Sequence, residues 1–109
     1  MGEGTLVLSD VTFEEKVRAS EVPVVVDFWA DGCGPSKMLA PVLARVAAEH
    51  KGQLVVAAVN VGDNPDTKAR FEITSTPTLI VFRDGQPVKR TVGARPKSTL
   101  EDDLRSVIG

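Results

Sequence analysis

The chain has 109 residues, 42% hydrophobic and 26% charged, with a formal net charge of −2. That length suits one domain, residues 1–109, able to bury about two-thirds of its unfolded surface without a metal or disulfide staple. The slightly acidic balance argues against nucleic acid or an anionic membrane as partner, and the apolar runs fall far short of the roughly 18 residues of a membrane span.

The opening residues, Met1-Gly2-Glu3-Gly4, lack the basic and apolar regions of a secretory leader. The lone cysteine fits a reducing compartment, so a cytoplasmic protein is expected. Thr5-Leu6-Val7-Leu8 reads as a short strand. Ser9 or Thr12 then opens a helix, with Thr12-x-x-Glu15 at capping-box spacing and Phe13 and Val17 as its apolar stripe. Val22 to Trp29 is the central strand, and its nearly continuous apolar run suits a parallel strand covered on both faces. Pro23 belongs at its start, where a missing donor does least harm.

The second helix is expected from about Pro35 to His50, with Met38, Leu39, Val42, Leu43, Val46 and Ala47 at helical spacing. Pro41 should kink this helix without ending it, and Gly52 should close it. Leu54 to Val61 is another buried strand. Asn64-Pro65 reads as an N-cap followed by proline at N1, opening a short helix to about Phe71. Thr78 to Phe82 and Pro87 to Val92 form a hairpin around Asp84-Gly85, and Gly93 suggests a bulge or a close backbone approach. Ser98-x-x-Glu101 is a second capping box, starting a last helix that buries Leu100, Leu104, Val107 and Ile108. The order βαβαβαββα predicts an α/β fold, a central mixed sheet with helices on both faces.

Chemistry concentrates between the central strand and the second helix, in Asp27-Phe28-Trp29-Ala30-Asp31-Gly32-Cys33-Gly34-Pro35-Ser36-Lys37. A thiol at a helix start faces unpaired N–H groups and the positive end of the helix dipole, which favour the nucleophilic thiolate. Cys33 is therefore read as an exposed nucleophile rather than an inert core cysteine. Asp27 sits in an otherwise apolar strand, where a carboxyl must be paired, protonated or functional. Trp29 is read both as core and as a shield beside the site. His50, without a second ligand at metal spacing, reads as a solvated surface histidine.

Several motifs in register resemble the thioredoxin family over essentially the whole chain. They are Val26-Asp27-Phe28-Trp29-Ala30, Cys33-Gly34-Pro35, Ala40-Pro41, Asp63-Asn64-Pro65, Ser75-Thr76-Pro77-Thr78-Leu79, Asp84-Gly85 and Val92-Gly93-Ala94. The resemblance implies a thioredoxin fold and thiol–disulfide exchange at Cys33. It implies Asp27 as a buried carboxylate behind that thiol and proton acceptor in the resolving step, and Thr76-Pro77 as a cis peptide beside it. Trp29, Gly32, Gly34, Pro35, Thr76, Pro77 and Gly93 would frame the substrate surface. No cofactor is implied. The partners implied are disulfide-containing proteins and, for the two-cysteine parent form, a flavin-dependent thioredoxin reductase; the chain itself would be a monomer able to form a Cys33-linked dimer.

The sequence departs from the family pattern W-C-G-P-C, reading Gly32-Cys33-Gly34-Pro35-Ser36. Ser36 stands where the resolving cysteine belongs, and a hydroxyl cannot break a mixed disulfide. Gly32 replaces a bulky aromatic residue and opens the rim. Ala58 stands where many relatives carry a lysine, so Asp27 is expected to lack a cationic neighbour, with its pKa raised by desolvation. The leading reading is a thioredoxin-type oxidoreductase stopped at the mixed disulfide. A natural one-thiol exchange protein using a low-molecular-weight thiol and a redox-inert binding module are the alternatives.

Overall fold

A computed structural model describes the backbone of residues 4–108 and the side chains of residues 4–107. Met1, Gly2 and Glu3, and the expected burial of Ile108, lie outside the described residues. The elements are β1 (Thr5–Val7), α1 (Phe13–Ala19), β2 (Val24–Trp29), α2 (Gly34–Glu49), β3 (Val55–Asn60), α3 (Pro65–Arg70), β4 (Thr78–Arg83), β5 (Gln86–Val92) and α4 (Lys97–Ile108). The sheet order is β1-β3-β2-β4-β5, with β1 and β2 parallel to β3, β4 antiparallel to β2, and β5 antiparallel to β4. The order and mixed sense match the expected βαβαβαββα arrangement.

Alternation along β2 sorts its side chains. Val24, Val26 and Phe28 join Phe13 and Val17 of α1 in one core layer, where Phe71 also packs. All four phenylalanines meet there, with ring centroids 5.2–6.4 Å apart. Tilted and edge-on pairs of this kind contribute about 0.5–1.5 kcal/mol each beyond their burial. Val25 faces the other way, into a layer with Leu39, Leu43 and Val46 of α2 and Leu100, Leu104 and Val107 of α4. The same alternation turns Asp27 toward α2.

Three expected caps take other forms. Thr12 is the α1 N-cap residue but has helical backbone angles (φ −100°, ψ −13°) and makes no side-chain cap. Its Oγ1 instead accepts the Ser9 N–H at 3.0 Å, and the Ser9 carbonyl takes the N–H groups of Thr12 and Phe13. Asn64 is the N-cap residue of α3 with Pro65 following, as expected, but its side chain makes no cap: it accepts the Asp10 N–H at 2.8 Å and donates to the Asn60 carbonyl. Asp10 caps α3 in its place, accepting the N–H groups of Asp66 (3.2 Å) and Thr67 (2.8 Å) and the Thr67 hydroxyl (2.6 Å). The last helix begins at Lys97, so Ser98 falls inside it, and Glu101 pairs with His50 and Lys97.

Other expectations shift in detail. Met38 is 70% exposed, outside the apolar stripe of α2. Pro41 lies within α2, which runs from Gly34 to Glu49 around it without ending there. The irregularity of the β4–β5 pairing falls at Val81/Phe82, not at Gly93. Gly93 carries φ +93° and donates its N–H to the Pro77 carbonyl at 2.8 Å, while a Cβ there would touch nothing. The hairpin turn has positive φ at both Asp84 and Gly85, as a two-residue connection that follows strand twist requires.

Candidate functional site

The turn that presents Cys33 follows from where β2 stops. After Trp29, Gly32 takes φ +75°, a backbone state open to glycine at no steric cost, and the chain re-enters as the first turn of α2. Cys33 is the N-cap residue of α2, extended at φ −88° and ψ 108°, with Pro35 in the first turn. Its N–H donates to the Ala30 carbonyl at 3.3 Å, and its carbonyl accepts the Lys37 N–H at 3.2 Å. Gly34 and Pro35 are exposed beside it.

The sulfur is half-buried and meets a residue 43 positions away. Its S–H donates to the Thr76 carbonyl at 3.4 Å, and the Thr76 hydroxyl donates to the sulfur at the same distance. The thiol is held below its ordinary range by the Ser36 side chain first, then the Thr76 hydroxyl and the Ser36 backbone N–H. Burial and the charge of Asp27 oppose this. In the neutral state the Ser36 hydroxyl makes no hydrogen bond within ordinary geometry, so it is left to donate when the thiolate forms.

Ser36 and Asp27 lie deeper. Ser36 is 4% exposed and Asp27 1%, and among the described residues neither the hydroxyl nor either carboxyl oxygen has a partner. A buried polar group left unpaired typically costs about 1–3 kcal/mol, so two such neighbours mark a place not optimised for stability. Desolvation pushes the Asp27 pKa up to about 7. Its register partners are Ala58 in β3 and Leu79 in β4, which agrees with the absence of a cation at position 58. An open groove of about 400 Å³ runs past both groups, walled by Trp29, Ala40 and Pro41 with Lys37 at its edge.

The Thr76-Pro77 peptide is cis and lies beside Cys33. Pro77 is buried, Thr76 half-buried, and Gly93 joins them through the Pro77 carbonyl. The structure therefore gathers Cys33, Ser36 and Thr76 directly, with Pro77 and Gly93 adjoining Thr76 and with Asp27 and Trp29 along the groove behind. Gly32 is exposed, and a Cβ there would meet nothing within 4 Å. Sequence reasoning missed Asn60, whose Nδ2 donates to Asp31 at 3.2 Å and so ties the site loop to the end of β3. It also missed Lys37 as part of the groove. The pairing of β3 with β2 brings Asn60 to the site loop with no local pattern to announce it, whereas Lys37 adjoins Ser36 in α2.

His50 is not a free surface histidine. Its ring nitrogens lie 3.0 Å from Glu101 and 3.2 Å from Gln53, and Lys97 bridges Glu49 and Glu101. Among the described residues no three His, Cys, Asp or Glu side chains could together hold a metal ion, and no helix is long and apolar enough to cross a membrane.

The thioredoxin family model matches residues 4–106. A thioredoxin of Mycobacterium tuberculosis is 49% identical over 104 residues, covering 95% of this chain and 90% of that protein. A thioredoxin of Alicyclobacillus acidocaldarius is 45% identical over 104 residues, covering 95% of this chain and 98% of that one. The bifunctional thioredoxin reductase/thioredoxin of Mycobacterium leprae is 48% identical over 104 residues, which span 95% of this chain and 23% of that protein.

Proposed function

The chain belongs to the thioredoxin family of thiol–disulfide oxidoreductases, and from that premise we propose that Cys33 attacks disulfides of protein substrates and that Ser36 stops the cycle at the mixed disulfide. The Cys33 thiolate attacks one substrate sulfur, the substrate S–S bond breaks, and the departing thiolate takes a proton from solvent. Completion requires a second thiolate, which in the two-cysteine pattern comes from the same helix turn, where its effective concentration is high. Ser36 occupies that place with a weakly acidic hydroxyl that is a poor nucleophile toward sulfur. The observation that carries this reading is the half-buried sulfur at the α2 N-cap, held by Thr76 and lowered in pKa by Ser36 and Thr76.

Thr76, Pro77 and Gly93 form the edge along which an extended substrate segment pairs, in the manner of strand addition, while Trp29, Gly32, Gly34 and Pro35 form the apolar rim. Asp27 is the proton acceptor that a resolving thiol at position 36 would use. The two-cysteine parent would draw electrons from a flavin-dependent thioredoxin reductase; the Mycobacterium leprae relative combines the two activities in its name. The working compartment is reducing, and the domain acts as a monomer. Mild air oxidation joins two copies through Cys33, an outcome that non-reducing electrophoresis checks.

The test is reduction of insulin disulfides with reductase as electron source, on the unsubstituted chain, on Ser36→Cys and on Cys33→Ser. Multiple turnover is expected for Ser36→Cys, a stable adduct for the unsubstituted chain, and no adduct for Cys33→Ser. Equal turnover by the unsubstituted chain and Ser36→Cys overturns the trap and favours the one-thiol reading. No adduct at all with Cys33 intact favours a redox-inert binding module.

A further inference from the structure

The groove beside α2 brings together an unusual set of groups. Asp27 and Ser36 are both more than nine-tenths buried and unpartnered, and both border it. Trp29, Ala40 and Pro41 give it slim apolar walls, and the exposed Lys37 and Asp31 stand at its edge, Asp31 accepting from Asn60 Nδ2 at 3.2 Å. A ligand matched to these groups offers Asp27 a donor, offers Ser36 an acceptor, has a small apolar body, and ends in an anion near Lys37. An S–H group is a weak donor and its sulfur a weak acceptor. Ser36 also adjoins Cys33, whose thiolate its side chain stabilises, so a sulfur lodged against Ser36 stands next to the sulfur it must attack.

We propose that this groove binds a low-molecular-weight thiol carrying a carboxylate, and that this thiol supplies the resolving sulfur that Ser36 lacks. The proposal rests on the mixed-disulfide chemistry of Cys33 given above. The bound thiol gives its proton to Asp27, and its thiolate attacks Cys33 Sγ. The mixed disulfide breaks there, and the substrate leaves as a thiolate that takes up one proton. Cys33 now carries the small thiol, and a second molecule of it attacks that small thiol's own sulfur. The products are the disulfide of the small thiol and the Cys33 thiolate. Two thiols supply the two electrons that reduce one substrate disulfide.

Asp27, poised at a pKa of about 7, has the basicity for this proton transfer at neutral pH. The charged or titratable groups facing it are Cys33, which couples to it electrostatically, and Lys37 and Asp31 at the groove; across the sheet it meets only Ala58 and Leu79.

The experiment starts from the Cys33 adduct formed with the aromatic disulfide dithiobis(nitrobenzoate). Release of the coloured aromatic thiolate is followed with mercaptopropionate, neutral mercaptoethanol and cationic mercaptoethylamine. Each rate is divided by that for a small-molecule disulfide of the same aromatic thiol. Mercaptopropionate is expected to saturate and to exceed mercaptoethanol by about two- to fivefold, the range of an exposed ion pair. Lys37→Gln should erase that preference, bringing the mercaptopropionate and mercaptoethanol rates together. Asp27→Asn should remove a limb of the pH–rate profile near pH 7. A parallel titration of Cys33→Ser with mercaptopropionate reads the fluorescence of Trp29, the only tryptophan, without any covalent chemistry. Saturating quenching supports the groove. Linear kinetics with equal normalised rates overturn the proposal, as does non-saturating fluorescence. A chain that forms no adduct refutes the mixed-disulfide reading, and the fluorescence titration then decides the groove alone.

Discussion

Replacing Asp27 by asparagine tests the energetics of the site through pH. The carboxyl is 1% exposed, has no hydrogen-bond partner, and is pushed by desolvation from 3.8 to about 7. Below pH 3.8 it is protonated in both folded and unfolded chains and contributes no pH dependence. Between 3.8 and about 7 the folded chain keeps a proton that the unfolded chain has released, so stability falls as pH rises. Above about 7 both forms are ionised and the loss levels off. A raised folded pKa requires this sign. A displacement of about 3 units corresponds to roughly 4 kcal/mol lost between pH 4 and pH 8. Asparagine is of similar size and does not titrate, so its own unsatisfied amide adds a constant. Urea denaturation of both forms at a series of pH values isolates the Asp27 contribution, because other titrating groups cancel in the difference. The Asp27 chain should lose about 4 kcal/mol relative to Asp27→Asn across this range. A difference flat with pH would refute the reasoning, since it requires a carboxyl that is hydrated or charge-compensated in the folded protein.

Ser36→Ala should raise the apparent pKa of Cys33, seen as a shift of the alkylation rate–pH profile toward that of a free thiol, because Ser36 is the largest contributor to its depression. For the His50–Glu101 pair, the raised histidine contributes stability that is complete below pH 6.5 and lost as pH rises through its folded value. The lowered glutamate contributes above 4.5 and is lost as pH falls through its folded value. His50→Gln should therefore lower stability most between pH 4.5 and 6.5, as thermal denaturation across pH will show. Asp10→Ala uncaps α3 and should lower Tm by a few degrees at neutral pH, while Asp10→Asn should lose less. The effect of Asp10→Ala should shrink as pH falls through the lowered Asp10 value, where the cap becomes neutral.

The local chemistry of this chain was open to inspection in its residues. A buried strand running into Gly32-Cys33-Gly34-Pro35 places a thiol at a helix start, because strand and helix are separated by only a few residues and their backbone states follow from apolar pattern, glycine and proline. The Asp84-Gly85 hairpin is equally local, and its positive φ angles arise from the turn itself. The elements, their order and the alternation that turns Asp27 toward α2 followed from the same periodicities. What surrounds those residues was decided by tertiary structure. Thr76 meets the Cys33 sulfur across 43 positions because β4 pairs with β2. Asp10 caps α3 from more than 50 positions away, although Asn64 stood at the spacing of a cap. His50 finds Glu101 only when α2 and α4 pack on the same face. Hydrogen bonds and desolvation act over a few ångströms in space and take no account of separation along the chain. Periodicity can therefore show which face Asp27 occupies, whereas its missing partners, its pKa near 7 and the groove beside it exist only once the sheet and α2 have closed around it.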